Sequence, residues 1–257
     1  MGAGSQEAEM AFQQVTKMLF GKPLSPLSKY EAWLRENLPK CKMFATANGN
    51  VIMPDISIYR YFPEEMMAGL DFERPDKKLD ISDPSFASLS REFGQLGKVV
   101  CELREGTNHN VVESNFYLNV QNSYRIAFCF HSKFCAHNIW SSFNERTFGC
   151  FRNMNGSFSI NCYFSTEMVR CFEMDACKKC SDSMFCHNCE GLQDSLFCFN
   201  AKSLRYAVCN VEIGREKYLK IKKMLVEGIL EELERTGRFE LCIFNIMETG
   251  SRVGHGR

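Results

Sequence analysis

Apolar positions recur at helical spacing near both ends of the chain and give way between them to short alternating runs. Over 6–20, Ala11, Val15, Met18 and Leu19 form a stripe with Phe12 at its edge, which predicts an amphipathic helix. Gly21, Pro23 and Pro26 end it. A second helix is expected over 28–38, where Ser28 and Glu31 have the spacing of a capping box, hydroxyl and carboxylate each satisfying a free backbone N–H. Residues 42–47 and 51–58 flank Asn48-Gly49-Asn50 as the arms of a hairpin, with Pro54 placing the second arm at an edge. A polar stretch, 72–78, closes this module, and 85–96 reads as one more short helix.

From about Val111 the pattern changes to polar, Ser, apolar, any, apolar. It stands at Asn122-Ser123-Tyr124-Arg125-Ile126, Gly156-Ser157-Phe158-Ser159-Ile160 and Asp182-Ser183-Met184-Phe185-Cys186. Further copies are Asp194-Ser195-Leu196-Phe197-Cys198 and Lys202-Ser203-Leu204-Arg205-Tyr206, with a looser one over 138–143. A short strand with alternate residues inward, then a polar turn, repeated, is how a β-solenoid stacks its rungs. Small or flat side chains such as Cys, Ser and Phe suit its narrow interior. The copies lie near 17 residues apart at first and 8 to 12 later, which predicts rungs that shrink along the axis. An ordinary β-sandwich is the competing architecture.

A coil of this kind ends on an unpaired edge and an open core, which must be covered. Residues 214–235 supply a helix for that task. Tyr218, Ile221, Leu225, Ile229 and Leu233 form its stripe, broadened by Met224, Val226 and Leu230. Lys217, Lys220, Lys222 and Lys223 crowd its first half, and Glu227, Glu231, Glu232 and Glu234 its second. The macrodipole favours the reverse by about 0.3–1 kcal/mol per charge near an end, so the order hints at an acidic partner near the lysines. After Gly237, residues 239–246 read as a final strand. The expected fold is mainly β with flanking helices (α+β): a helical and hairpin N-terminal module (1–78), a cysteine-rich, right-handed parallel β-solenoid (79–214), and a capping amphipathic helix with a terminal strand (215–257).

Composition narrows the function. Lys+Arg 31 against Asp+Glu 31 sets aside a disordered polyion and a generic nucleic-acid binder. No run approaches the roughly 18 apolar residues of a membrane span, and the N-terminus lacks the basic and apolar regions of a secretory signal. Fourteen cysteines in 257 residues fall below the roughly 8–10% of a small disulfide scaffold. The thiols are therefore expected in a reducing cytoplasm, as small buried hydrophobes or as metal ligands.

The strongest chemical motif is Cys177-x-x-Cys180 followed, after five residues, by Cys186-x-x-Cys189. Four thiolates can hold zinc at about 2.3 Å, or ligate an iron–sulfur cluster. Zinc ribbons, however, separate their pairs by about 15–20 residues. Cys186 and Cys198 also hold the same place in successive copies, Asp-Ser-Met-Phe-Cys and Asp-Ser-Leu-Phe-Cys, which favours stacked core thiols. Cys129 with His131, and Cys135 with His137, could face one ion or make an activated thiolate, but no third orienting group accompanies them. Walker, dinucleotide, nucleophile-elbow and His-Glu-x-x-His motifs are absent from the sequence.

The stretch Cys186-His187-Asn188-Cys189-Glu190-Gly191-Leu192, then Tyr206-Ala207-Val208-Cys209-Asn210, then Arg215-Glu216-Lys217-Tyr218 opening a helix, resembles uncharacterised cysteine-rich repeat proteins of prokaryotes. The resemblance implies cysteine-rich rungs ending in a Gly-Leu step, a Tyr-x-x-x-Asn strand and a Lys/Glu-rich helix. It takes in about a third of the chain and carries no activity. Those proteins have denser CxxC runs and N-terminal zinc-like cysteines that this chain lacks. The function expected is a non-enzymatic scaffold or protein-interaction subunit, without cofactor, that meets other protein subunits or a second copy of itself, and neither nucleic acid nor membrane. The alternative is a metal- or iron–sulfur-binding redox or carrier protein using Cys177, Cys180, Cys186 and Cys189. A cysteine enzyme acting near His131 or His137 comes third.

Overall fold

The computed structural model describes residues 3–246 except 47–48, 55–60, 74–75, 77, 79, 81, 95–97, 126–128, 131, 137–141, 143, 151–153, 161–162, 164–169 and 176–180. Its N-terminal part holds α1 (Ala3–Phe20), α2 (Leu27–Arg35), β1 (Cys41–Thr46), β2 (Gly49–Pro54), β3 (Met67–Ala68) and α3 (Phe86–Gly94). Next come β4 (Val99–Val100), β5 (Leu103–Glu105), β6 (His109–Val112), β7 (Phe116–Leu118), β8 (Gln121–Tyr124) and β9 (Cys129–Phe130). The strands continue with β10 (Ser132–Ala136), β11 (Asn144–Thr147), β12 (Phe158–Ser159), β13 (Arg170–Asp175), β14 (Met184–His187), β15 (Gln193–Leu196) and β16 (Arg205–Val208). The short β17 (Val211–Glu212) and the helix α4 (Arg215–Thr236) follow.

Residues 103–208 wind as a parallel β-solenoid, and backbone angles set its period. From Asp182 to Cys209 every third residue has positive φ, so the chain bends at each. The ladder repeats every twelve: His109 pairs with Gln121, Phe172 with Met184, and Met184 with Leu196. Each turn there has four sides of three residues. Asn, Asp and Gly take many of the corners because they tolerate the left-handed region. Phe185, Phe197 and Tyr206 take others, at a cost on the order of 1 kcal/mol each that their packing must offset.

This period explains the Ser-centred pattern and corrects its spacing. Ser123, Ser183 and Ser195 share one column with Thr147, Ser159, Cys171 and Ala207, and all seven are buried. The rungs do not shrink. Ser157 and Ser203 fall outside that column, Ser203 being a corner with φ 53. Inward residues come every third instead of alternately, because a three-residue side is too short for strand alternation. Two interior hydroxyls satisfy themselves locally, those of Ser183 and Ser195 each donating at 3.0 Å to the carbonyl two residues back, whereas Ser159 Oγ is buried without a hydrogen bond among the described residues. Small side chains bearing a donor therefore suit the inside of this coil.

One side of the coil is a single ladder in the order β17-β16-β15-β14-β13-β12-β11-β10-β8-β6. Its outward residues are apolar and again twelve apart: Tyr124, Ala136, Phe148, Ile160, Phe172, Met184, Leu196 and Val208, all part of the main core. α1 touches β6, β8, β10, β11, β12 and β13 in turn. Its 18 residues make about 27 Å of helix, and six rungs at about 4.8 Å span nearly as much. So α1 runs along the coil axis. α4 covers the flank at β15 and β16, where the Tyr218 hydroxyl donates to the Asp182 carbonyl (3.3 Å).

The last rung is closed by other groups. β17 folds back on β16, and the Asn210 side chain bonds both the N–H and the C=O of Phe199 (2.9 and 2.8 Å), as another rung would. Glu212 accepts from the Arg205 N–H (2.8 Å). At the opposite end β3 pairs with β4, and Phe44, Val51, Met67 and Cys101 form a small separate core.

Two local expectations change, and one charge pattern gains a partner. Ser28 and Glu31 form no capping box: Glu9 meets the Leu27 N–H (2.6 Å), and Glu31 pairs with Arg125 and ties α2 to the coil. Residues 239–246 form no strand. Phe239 and Ile243 are buried in the main core, and Asn245 closes a turn on the Cys242 N–H and the Glu240 carbonyl. The acidic half of α4 meets the N-terminal module, Glu234 pairing with Lys22 while Lys29 reaches the Glu234 carbonyl. Gly237 makes that approach possible, since a Cβ there would lie 2.6 Å from the Lys29 carbonyl. The hairpin turn, 47–48, lies outside the described residues, and among those described no helix is long and apolar enough to cross a membrane.

Candidate functional site

Of the four cysteines expected to hold metal, Cys177 and Cys180 lie outside the described residues, as do His131 and His137. Cys186 and Cys189 are described, and both are buried. Their x-x spacing is the coil's own three-residue step, which brings them into one interior cluster with Cys150, Cys171, Leu192, Cys198 and Ala207. Their thiols donate to the carbonyls of Met184 (3.3 Å) and His187 (3.1 Å), and Cys189 also reaches the Cys198 carbonyl (3.2 Å). His187 sits outside this cluster, its ring 5.9 Å from that of Phe199.

Cys186 and Cys198 stack one turn apart, as their equivalence in the sequence implied. Contact with the Cys198 thiol, with burial, pushes the Cys186 thiol well above the usual thiol range. The same contact draws the Cys198 thiol down to about 7, against the effect of burial, and the Asn210 N–H adds to the lowering. Among the described residues, no group of three or more Cys, His, Asp or Glu is placed to hold a metal ion.

A second polar cluster escaped the sequence reading. Glu173 occupies a left-handed corner (φ 47) and is 2% exposed. Its Oε1 accepts from the Tyr163 hydroxyl (3.2 Å), whose oxygen accepts from the Asn37 amide (2.8 Å). Oε2 is buried without a hydrogen bond of good geometry among the described residues. Burial pushes the carboxyl up to about 8, while the Ile243 N–H and the Tyr163 hydroxyl pull it back. Burial, with Glu173 beside it, also raises the Tyr163 phenol far above its ordinary value. The Phe244 ring packs on Tyr163 at 4.9 Å. At neutral pH this acid is mostly protonated and walled in, which suits it to sense pH more than to meet a substrate. The signal for it was a lone charge inside the apolar run Cys171-Phe172-Glu173-Met174.

The surface adds two apolar features. α3 buries no residue, and Phe86, Leu89 and Phe93 are 90%, 42% and 69% exposed at a spacing that puts them on one helix face. Its start is fixed locally, Ser85 accepting from the Ser88 N–H (3.3 Å) and Asp83 from Ser85. Between α4 and the ladder lies a groove lined by Phe185, Phe197, Leu225, Ile229, Phe239 and Leu241. There the rings of Phe185 and Phe197, one turn apart, stack at 5.1 Å and 4°. Compared with protein-family models, with curated proteins and with solved structures, the chain matches none.

Proposed function

We propose that the protein is a non-enzymatic scaffold whose coil holds interaction elements on its flanks, and that α3 is the element it offers to other protein subunits. The observation that carries this is a helix fixed at its start yet holding Phe86, Leu89 and Phe93 in water. Nine residues make a marginal helix by themselves. Burying a large apolar side chain gains about 1.5–3 kcal/mol, and a stripe of this spacing is how a helix enters a groove. A second copy of the chain is the partner put forward, because the groove beside Phe185, Phe197 and Phe239 is apolar and open to a side chain. Right-handed winding, a cytoplasmic setting, and partners that are neither nucleic acid nor membrane belong to the same reading.

Light scattering over a dilution series tests it. The wild type is expected to self-associate, and a Phe86→Ser, Phe93→Ser variant to stay monomeric with an unchanged circular dichroism spectrum. A wild type that stays monodisperse, with no crosslink from a photoreactive group at Leu89 to a second copy, sinks the reading. The alternative, zinc or an iron–sulfur cluster on Cys177, Cys180, Cys186 and Cys189, draws support from the shared cluster of Cys186 and Cys189. It requires one metal or cluster per chain after anaerobic purification, lost in Cys177→Ser or Cys189→Ser.

A further inference from the structure

We propose that Cys186 and Cys198 form a two-coordinate site for a soft monovalent cation of the copper(I) class. The two residues are twelve apart, stacked on successive turns, and both are 0% exposed. Their thiols are close enough to interact. A metal–thiolate bond is about 2.3 Å, so two in line span about 4.6 Å. Successive rungs are about 4.7–4.9 Å apart. One turn of the coil therefore sets two stacked sulfurs at about the separation that a linear sulfur–metal–sulfur unit needs.

Main-chain donors support the thiolate form. The Cys198 N–H faces Cys186 Sγ, and the Asn210 N–H faces Cys198 Sγ. Each sulfur thus has an N–H from the level above it, the kind of outer contact that orients and tunes metal thiolates. Among the described residues, the nearby polar atoms do not complete a four-ligand set. Cys189 directs its thiol at the His187 and Cys198 carbonyls, and zinc would want four ligands. Soft thiolates select copper(I) instead. On binding, two S–H bonds break and two sulfur–metal bonds form. Both protons leave to solvent, and no electron moves. Cys198 belongs to the last complete turn, where Ala201 and Leu204 are only partly buried, so the site lies one level below the closing Asn210.

Anaerobic titration of the reduced full-length protein with copper(I), in competition with a chromophoric chelator, tests the site, with X-ray absorption on the wild type at one equivalent. The expected result is a shell of two sulfurs. Cys186→Ala and Cys198→Ala should each lower the copper(I) capacity by one equivalent, and Cys189→Ala and Cys209→Ser should leave it unchanged. An unaltered capacity in folded Cys186→Ala or Cys198→Ala overturns the proposal. So does a shell of three or four sulfurs, which is read on the wild type and does not depend on any variant folding. The outcome is separable from the fate of α3, whose variants touch none of these residues.

Discussion

The two faces of the coil's wall obey opposite rules. Cys171 and Phe172 are neighbours in sequence, both fully buried, yet one fills the tube and the other joins the aromatic core outside it. The same holds for Ser183 with Met184 and for Ser195 with Leu196. Inside, most side chains are small and several bond to their own backbone, so little apolar area is available per residue. Outside, Phe172 meets the rings of Phe20, Trp33, Phe185 and Phe239 at 5.1, 5.9, 5.1 and 6.3 Å. The inner face fixes shape, and the outer face supplies most of the hydrophobic stability. A narrow coil needs helices on its flank for that reason.

Adjacent substitutions give the sharpest test of this contrast. Phe172→Ala should cost about 4–5 kcal/mol in urea denaturation, the upper range for a large core aromatic. Cys171→Ala, one residue away, should cost about 1 kcal/mol. Equal losses at the two positions would break the comparison.

Among the described residues the outer face carries a polar misfit, and pH exposes it. The Glu173 carboxyl stands at about 8 in the folded chain against an ordinary 4.5. Between those values the folded state holds a proton that the unfolded state has released. Stability from this group is therefore complete below about 4.5, declines as pH rises, and is gone above about 8. The slope is at most about 1.4 kcal/mol per pH unit, and the total is on the order of 3–4 kcal/mol once relaxation of the site is allowed for. Glu36, held by Arg238, adds to the unfavourable field. Glu173→Gln cannot ionise, so its urea midpoint should vary less between pH 5 and 9 and exceed the wild type's at pH 9. Parallel pH profiles for the two proteins would refute the buried-acid account.

Enlarging the inner face should hurt where the outer face would tolerate it. Ser195→Val adds bulk beside Cys186 and Cys198 and removes the hydroxyl bonded to the Gln193 carbonyl. A loss of about 1–3 kcal/mol is expected. Leu196→Met on the outside should cost less than about 1.5 kcal/mol. Thermal melts of the pair rank them, and a more stable Ser195→Val would mean that the tube has spare room.

The helices and the coil were legible in the sequence because each repeats a simple physical requirement. Val15 and Leu19, like Ile229 and Leu233, mark buried faces by helical spacing alone. The solenoid showed through Ser123, Ser183 and Ser195, but its period stayed hidden. Thr147, Cys171 and Ala207 meet the same need for a small inward side chain, and a search for Ser passes over them. The CxxC spacing misled for a related reason. Three residues separate two metal ligands on a knuckle, and three also separate successive inward positions of this coil. Glu173 could be noticed only as a charge out of place, since its partners Asn37 and Tyr163 are remote in sequence. Glu31 shows the converse: a local motif was present, and Arg125, 94 residues away, took its carboxylate instead.

The smallest effect tests where the two-faced wall stops. Asn210 is the next residue of the Cys186 and Cys198 column, yet its side chain turns back to occupy both hydrogen-bonding groups of Phe199. Asn210→Ala releases an N–H and a C=O to solvent, a net loss of about 1 kcal/mol. Asn210→Asp keeps the acceptor for the Phe199 N–H but sets a carboxylate oxygen against the Phe199 carbonyl, so it should be at least as costly. Stability is the lesser readout. An edge that offers both groups is a template for another chain, so Asn210→Ala should gain end-to-end association that Phe86→Ser and Phe93→Ser do not suppress. Association of that variant can then be assigned to the coil's end and not to α3. If Asn210→Ala remains as dispersed as the wild type, β17 and Glu212 already suffice to close the tube, and the asparagine has only a local role.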